Sequence, residues 1–472
     1  MSRKSSVSAR HLVAAAALGV AVAVSALAAP AERAASSAQQ AQPMLPLKDF
    51  MTLLDVLSKP SNAALARIDA QWQDGYATML LEAWGFMPDS FVRRDALQLV
   101  SKKSGVPSTD LNVLYEWAWS VRPTQHPQYA AFKAALYESV DPSFREYFDN
   151  QPKTAIRLDE IRWGGVHRDG IPPLDKPKMI AAADASWLGE NDIVFGVAID
   201  GDVRAYPKRI LAWHEMFKDT IAGRQLNGVY CTLCGSMILY DTTIDGVHHE
   251  LGTSGFLYRS NKLMYDHATK SLWSTLTGTP VVGPLVGRGI ELKPLYVVTT
   301  TWKAWRERHP RTLVLSLDTG HLRDYREGAA YREYFASDRL MFNVPHLDDR
   351  LPNKAEVLAL RFADQAGKGP GESLAIAADF LLRNKVHHER LGGQRFVVLT
   401  DASGANRVYA SGVLRFADWD GKAQARDGDG GVWVVEEGRL LGPGGKQLER
   451  LPAHRAFWFG WYAAYPDTRL VK

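Results

Sequence analysis

The chain has 472 residues, 46% of them apolar and 23% charged, with a formal net charge of +4 and two cysteines, Cys231 and Cys234. That composition is ordinary for a folded globular protein and excludes a disordered, collagen-like or multi-span membrane chain, while two cysteines are too few for a disulfide scaffold. Three of the positive charges are Arg3, Lys4 and Arg10, so the rest is close to neutral and gives no electrostatic case for a nucleic-acid partner.

Residues 1–28 read as a signal peptide. A basic start leads into an apolar run from Leu12 to Ala29, broken only by Gly19 and Ser25, and the small residues Ala26 and Ala28 place cleavage near Ala28. If retained, the same run is just long enough for a membrane anchor; once it is cleaved, no later stretch reaches the length of a span. No cysteine lies near the cleavage site, which excludes a lipoprotein anchor. The expected location is periplasmic or secreted. Residues 29–46, rich in Ala, Ser, Gln and Pro, read as a disordered leader.

From 47 to 155 the apolar spacing is helical. Leu53, Leu54 and Leu57 recur at helical intervals, as do Leu65, Ile68 and Trp72, and further apolar faces run through 79–84, 91–100, 111–119 and 129–137. Breaks are expected at Lys59-Pro60, Gly85, Met87-Pro88, Gly105 and Arg122-Pro123. This is the pattern of a small, repeat-like helical domain, suited to support or to contact with a protein partner. It carries no evident chemistry.

Residues 156–350 change to short strands separated by Gly, Asp and Asn turns: 193–199 before Asp200-Gly-Asp202, 228–230, 237–240 before Asp245-Gly246, and Val281-Val282. Helical segments are few, and the clearest are 207–217 and 301–308. Residues 351–472 read as a second, degenerate copy. Trp302, Trp305, Pro310 and Thr312 share their spacing with Trp458, Trp461, Pro466 and Thr468, and Ser271-Leu-Trp273 answers Gly431-Val-Trp433. The fold class is therefore α+β: a helical, repeat-like N-terminal domain followed by a duplicated, mainly antiparallel β sandwich or barrel.

The differences between the copies point to the chemistry. The shift that carries Ala222-Gly-Arg-Gln225 onto Gly392-Gly-Gln-Arg395 carries Cys231 onto Asp401, Cys234 onto Gly404 and His214 onto Asn384. The reactive groups belong to the first copy alone. In Tyr230-Cys-Thr-Leu-Cys-Gly-Ser-Met237 a strand follows the motif instead of the helix of a thioredoxin-type site, and Gly235 suits a turn needing positive φ. Strand, CxxCG, strand is the form of a metal-binding knuckle. A zinc site needs two more ligands, for which His214 in Trp213-His-Glu215 is the nearest candidate, with Glu215 to orient the imidazole; His248, His249, His267 and His321 are further candidates. Alternatively Cys231, Cys234 and Met237 form a soft set for copper. Two other readings stand beside these: a thiol–disulfide oxidoreductase with Cys231 attacking and Cys234 resolving, and a binding or scaffold module in which the two form a structural disulfide.

Ser254, in Gly252-Thr-Ser-Gly-Phe256, resembles the hydrolase elbow but lacks its last glycine and the helix that should follow. Arg259 and Asp266 are expected to form a buried ion pair, and His321 sits in a polar run, Asp318 to Tyr325, that could line a cleft. His214-Glu215 lacks the second histidine of a zinc protease helix, Gly442-Pro-Gly-Gly-Lys446 lacks the spacing of a phosphate loop, and Asp427-Gly-Asp429 has too few ligands for an EF-hand loop.

Ile161-Arg-Trp-Gly-Gly165, Asp169-Gly-Ile-Pro-Pro173, Arg204-Ala-Tyr-Pro207, Trp213-His-Glu215, Tyr230-Cys-Thr-Leu-Cys-Gly235, Thr253-Ser-Gly-Phe-Leu-Tyr-Arg259 and Ser271-Leu-Trp273 occur in this order. Over roughly residues 156–472 this succession resembles the bacterial domain-of-unknown-function family 3179. The resemblance implies an exported or envelope-associated bacterial protein and implies no activity. The helical region lies outside it.

Overall fold

A computed structural model of the chain describes residues 43–362 and 371–472. The signal peptide expected at 1–28 and nearly all of the leader expected at 29–46 lie outside the described residues. From Leu45 to Lys472 the chain is one compact unit, and its architecture is α+β with mostly antiparallel sheets.

Helices occupy Ser58–Ala70, Gly75–Trp84, Phe91–Ser104, Leu111–Val121 and Tyr129–Glu138, as the apolar spacing predicts. Local chemistry sets their ends. Ser90 Oγ accepts from Arg93 N at 3.3 Å and Asp110 Oδ1 from Asn112 N at 2.8 Å, each satisfying an amide that a helix N-terminus leaves unpaired. Gly105 turns left-handed at φ 72° and ends its helix. Pro60 does not break the chain where expected; it lies in the first turn of Ser58–Ala70, where a missing N–H costs no hydrogen bond.

These helices are joined to the β region by a continuous core. The rings of Tyr137, Phe144 and Phe148 surround Phe256 at centroid distances of 5.0, 4.7 and 5.3 Å. Fully buried Lys133 is paired with Glu82 and donates to the carbonyl of Ile161 at 2.8 Å. Removing one partner would leave an uncompensated charge in that layer, the costly case for buried ions.

Two sheets share one plan. The first runs in the order Val298–Thr301, Ile193–Ile199, Asp202–Pro207, Leu313–Leu315, with Met179–Ala181 at its edge; the second runs His454–Phe457, Glu356–Phe362, Glu372–Ala377, Arg469–Val471. In both, the first three strands pair antiparallel and the fourth joins parallel. Each also has a helix after its outer strand, Trp302–Arg308 and Trp458–Ala464. Trp305 Nε1 donates to Thr312 Oγ1 at 3.0 Å, and Trp461 Nε1 to Thr468 Oγ1 at 2.9 Å, so the repeated Trp-Thr spacing closes each helix back on the strand that follows it.

An antiparallel trio follows in each region: Met216–Ile221, Arg224–Cys231 and Ser236–Asp241 in one, Val386–Leu391, Gln394–Thr400 and Asn406–Ala410 in the other. The predicted helix over 207–217 is shorter than expected. It spans Lys208–His214, stops because Glu215 adopts φ 55°, and gives way to a strand at Met216. Among the described residues no helix is long and apolar enough to cross a membrane.

Candidate functional site at a buried cysteine pair

Strands Arg224–Cys231 and Ser236–Asp241 are antiparallel neighbours in which Cys231 faces Ser236, so the residues between them form a tight turn carrying both cysteines. Cys234 N donates back to the Cys231 carbonyl at 3.2 Å. Gly235 leaves the turn at φ 59°, and a Cβ there would meet the Phe457 ring at 2.9 Å. Both its backbone freedom and its missing side chain are therefore used. The two thiols are free and each cysteine is 1% exposed.

A second hairpin supplies their surroundings. Strand Leu251–Tyr258 turns through Arg259 and Ser260, at φ 49° and 64°, into Asn261–Asp266. The Ser260 carbonyl oxygen thereby lies 3.3 Å from Cys234 Sγ and 3.9 Å from Cys231 Sγ. An oxygen acceptor favours the sulfur that keeps its proton, which is Cys234. Burial and the Glu215 charge oppose ionisation of Cys231, but hydrogen bonding from the Cys234 thiol and from nearby backbone amides favours its thiolate, and the balance holds the Cys231 thiol below its ordinary range. Burial and the neighbouring Cys231 sulfur push Cys234 well above. The pair is asymmetric, with one sulfur set to carry charge and the other to carry the proton.

An ion pair completes the layer. Lys262 Nζ donates to the Glu215 carbonyl at 3.1 Å and lies 3.6 Å from its carboxylate. Burial pushes the Glu215 acid up and the Lys262 ammonium down, and each group opposes the other's shift. The charge on Cys231 also favours the ammonium. Glu215 is a non-glycine residue in the left-handed region, a costly conformation that the surrounding structure must impose.

That turn sends His214 elsewhere. Its Nδ1 is 2.9 Å from the Pro172 carbonyl and its Nε2 is 2.6 Å from the Tyr325 hydroxyl. Burial takes the imidazole down to about 4, against the Pro172 carbonyl and with the nearby charges of His321 and Arg323. His321 is exposed, with its ring 5.1 Å from that of His214. The expected set of Cys231, Cys234 and His214 is thus not brought together, and Glu215 orients no imidazole. Among the described residues no three His, Cys, Asp or Glu side chains are grouped to hold a metal ion. Met237 packs with Phe217, Tyr206 and Leu239, whereas the cysteines pack with Tyr334, Phe457 and Phe459, so the soft set of three sulfurs is not formed either.

The remaining candidates serve the frame. Ser254 Oγ donates to the Leu263 carbonyl at 2.7 Å and accepts from Phe256 N. Arg259 and Asp266 do not pair. They sit near opposite ends of strand Asn261–Asp266, which at about 3.3 Å per residue holds them well beyond ion-pair reach. Arg259 instead reaches Glu160 at 2.5 Å and the Ala463 carbonyl at 2.8 Å, and Asp266 takes His249 at 2.9 Å.

Four residues missed at the sequence level shape the site: Ser260, Lys262, Tyr334 and Phe457. Tyr334 donates to the Leu233 carbonyl at 2.7 Å, Phe457 N donates to the Cys234 carbonyl at 2.7 Å, and a Cβ on Gly460 would touch Cys234 Sγ at 3.0 Å. The only local signal was Lys262, a lysine inside an otherwise buried strand.

A family model described as "Protein of unknown function (DUF3179)" matches residues 168–468. No curated protein and no solved structure matches the chain.

Proposed function

The chain belongs to the DUF3179 family, a name that carries no activity, and from that premise we propose that Cys231 and Cys234 are a redox-active dithiol for thiol–disulfide exchange outside the cytoplasm. The observation that carries this reading is the asymmetry of the pair: the Ser260 carbonyl lies 3.3 Å from Cys234 Sγ but 3.9 Å from Cys231 Sγ, and the Cys231 thiol is held below its ordinary range while Cys234 is pushed well above. The Cys231 thiolate attacks one sulfur of a partner disulfide and expels the other as a thiolate, leaving a mixed disulfide. Cys234 then passes its proton to the departing thiolate and attacks Cys231 Sγ, which releases the second partner sulfur. Two electrons move from the pair to the partner, and Cys231–Cys234 becomes a disulfide. Because both cysteines are 1% exposed, the exchange requires the layer formed by Tyr334 and Phe457 to lift.

The metal or cofactor reading, with zinc or copper on the cysteines, lacks a third donor once His214 and Met237 are engaged elsewhere. Export rests on the character of residues 1–28, and 29–46 is proposed as a leader. The same proposal takes 47–155 as a repeat-like helical support with a protein partner, and 156–350 and 351–472 as two copies of one β unit. The matching strand orders favour duplication. So do two matching turns, with Gly404 N donating to Asp401 O at 3.0 Å where Cys234 N donates to Cys231 O.

The test is to purify the exported chain anaerobically, quantify metal and free thiols together, and titrate the pair in glutathione buffers. The expected result is no stoichiometric metal and a reversible disulfide with a potential between about −270 and −120 mV, the range of thiol oxidoreductases. One metal per chain, lost in Cys231→Ser, establishes the metal reading instead. A disulfide that resists every buffer leaves only the scaffold.

A further inference from the structure

Away from the sulfurs, the other side of the cysteine turn borders a second feature. A cavity of about 160 Å³ lies between the two β regions, with Lys208, Thr299 and Gly235 contributed by the first and Glu356, Ser403 and Arg455 by the second. Thr300 Oγ1 and Ser403 Oγ, 3.0 Å apart, tie the regions together beside it.

The correspondence between the regions shows what is unusual there. Thr299 stands three residues before Trp302, as Arg455 stands three before Trp458. Lys208 opens the helix after Asp202–Pro207, as Ala378 opens the helix after Glu372–Ala377. A contact made only to join two like surfaces needs no charge at these positions. Here each pair of equivalents carries one cation, and Glu356 is the one carboxylate in the lining.

That carboxylate does not satisfy them. Arg455 is 14% exposed and reaches Glu356 through Nη2 alone, at 3.4 Å. Its Nε and Nη1 are buried with no hydrogen-bond partner among the described residues. Lys208 lies over the Phe335 ring at 4.4 Å and has Glu356 and Glu327 near it, neither within ion-pair distance among the described residues. Buried guanidinium N–H groups without acceptors are rare, because desolvating them is costly.

We propose that this cavity binds a small oxyanion, a carboxylate or an inorganic phosphate or sulfate, held by Arg455 and Lys208. Its volume, below the roughly 300–1,000 Å³ of drug-sized sites, limits the ligand to a few heavy atoms. The arginine supplies directional donors and the lysine a point charge. The proposal is independent of the thiol reading, and a Cys231→Ser, Cys234→Ser double variant is expected to bind the anion unchanged.

Sodium acetate, sulfate and inorganic phosphate are the probes, each titrated calorimetrically and by thermal melting against sodium chloride of equal ionic strength. The expected result is saturable binding of at least one probe at one site per chain, weakened at least tenfold in Lys208→Met. An Arg455→Met, Glu356→Gln double variant, which removes the ion pair without stranding a charge, is expected to abolish it. Melting that follows ionic strength alone, or binding that survives both variants, overturns the proposal.

Discussion

Lys262 Nζ lies 3.6 Å from the Glu215 carboxylate in the layer that holds both thiols. The ammonium is the cation that opposes the upward shift of the buried Glu215 acid. Replacing it in Lys262→Met leaves Glu215 unpaired and driven further up, and takes a positive charge away from the Cys231 sulfur. The expected loss of stability is about 3–5 kcal/mol, the cost of stranding one member of a buried pair. The pH at which the more reactive thiol alkylates should move upward by about one unit. Adding Glu215→Gln should recover part of the stability and, because the Glu215 charge opposes ionisation of Cys231, part of the thiol reactivity as well. Urea melts and alkylation-rate profiles against pH distinguish the two effects.

The cover over the cysteines is held by the Tyr334 hydroxyl on the Leu233 carbonyl, at 2.7 Å. Tyr334→Phe removes one hydrogen bond and leaves a buried carbonyl unpaired, costing about 1–2 kcal/mol. If the thiols react only when this layer opens, their alkylation in the folded protein should accelerate by about 5–30-fold, the same free energy expressed as a population. An unchanged rate despite lowered stability would place the access route elsewhere.

How far the site could be read beforehand depended on the range of the interactions. The Gly235 turn, the strand Ile193–Ile199 and the Trp-Thr spacing are local, and residue type alone announces them. The destination of His214 is not local. It hinges on Glu215 taking φ 55°, which a helical pattern running from 207 to 217 conceals, and the rotation separates two adjacent side chains. Tyr334 reaches Leu233 across 101 residues of chain, and Phe457 comes from the other β region, so neither carries a signal near the cysteines. The mistaken Arg259–Asp266 pair came from reading sequence proximity as contact, although the residues between them are an extended strand.

Acid should weaken the fold through its buried histidines, most strongly through two of them. Burial takes both His214 and His454 down to about 4 from an ordinary 6.5. Between those values the unfolded chain binds protons that the folded chain refuses, so stability falls as pH drops below 6.5 and this loss stops growing near 4. Carboxylates held low, such as Glu437 among its arginines, add their own loss only below about 4.5. Denaturation midpoints measured between pH 6.5 and 5 avoid that loss; the Glu215 acid, pushed up by burial, acts there with the opposite sign, so the histidine share is read from variants. His214→Asn, whose amide stands near the place of Nδ1 at Pro172 and does not titrate, should reduce the slope in that window. A slope that stays unchanged in this variant and in His454→Asn would refute this origin.

Trp305 and Trp461 each donate an indole N–H to a threonine seven residues on, Thr312 at 3.0 Å and Thr468 at 2.9 Å, and each tryptophan is 1% exposed. Valine at either threonine keeps the shape and removes the acceptor, which leaves a buried N–H unpaired at about 1–3 kcal/mol. If the two regions are copies of one unit, the clasp does the same job twice. Thr312→Val and Thr468→Val should then cost similar amounts and add to within about 0.5 kcal/mol, since separate sites without shared partners are additive. Thr312 also touches the Val203 carbonyl at 3.3 Å, so any difference should make it the costlier of the two. A silent substitution at either position would mean that the repeated spacing reflects ancestry without a shared mechanical role.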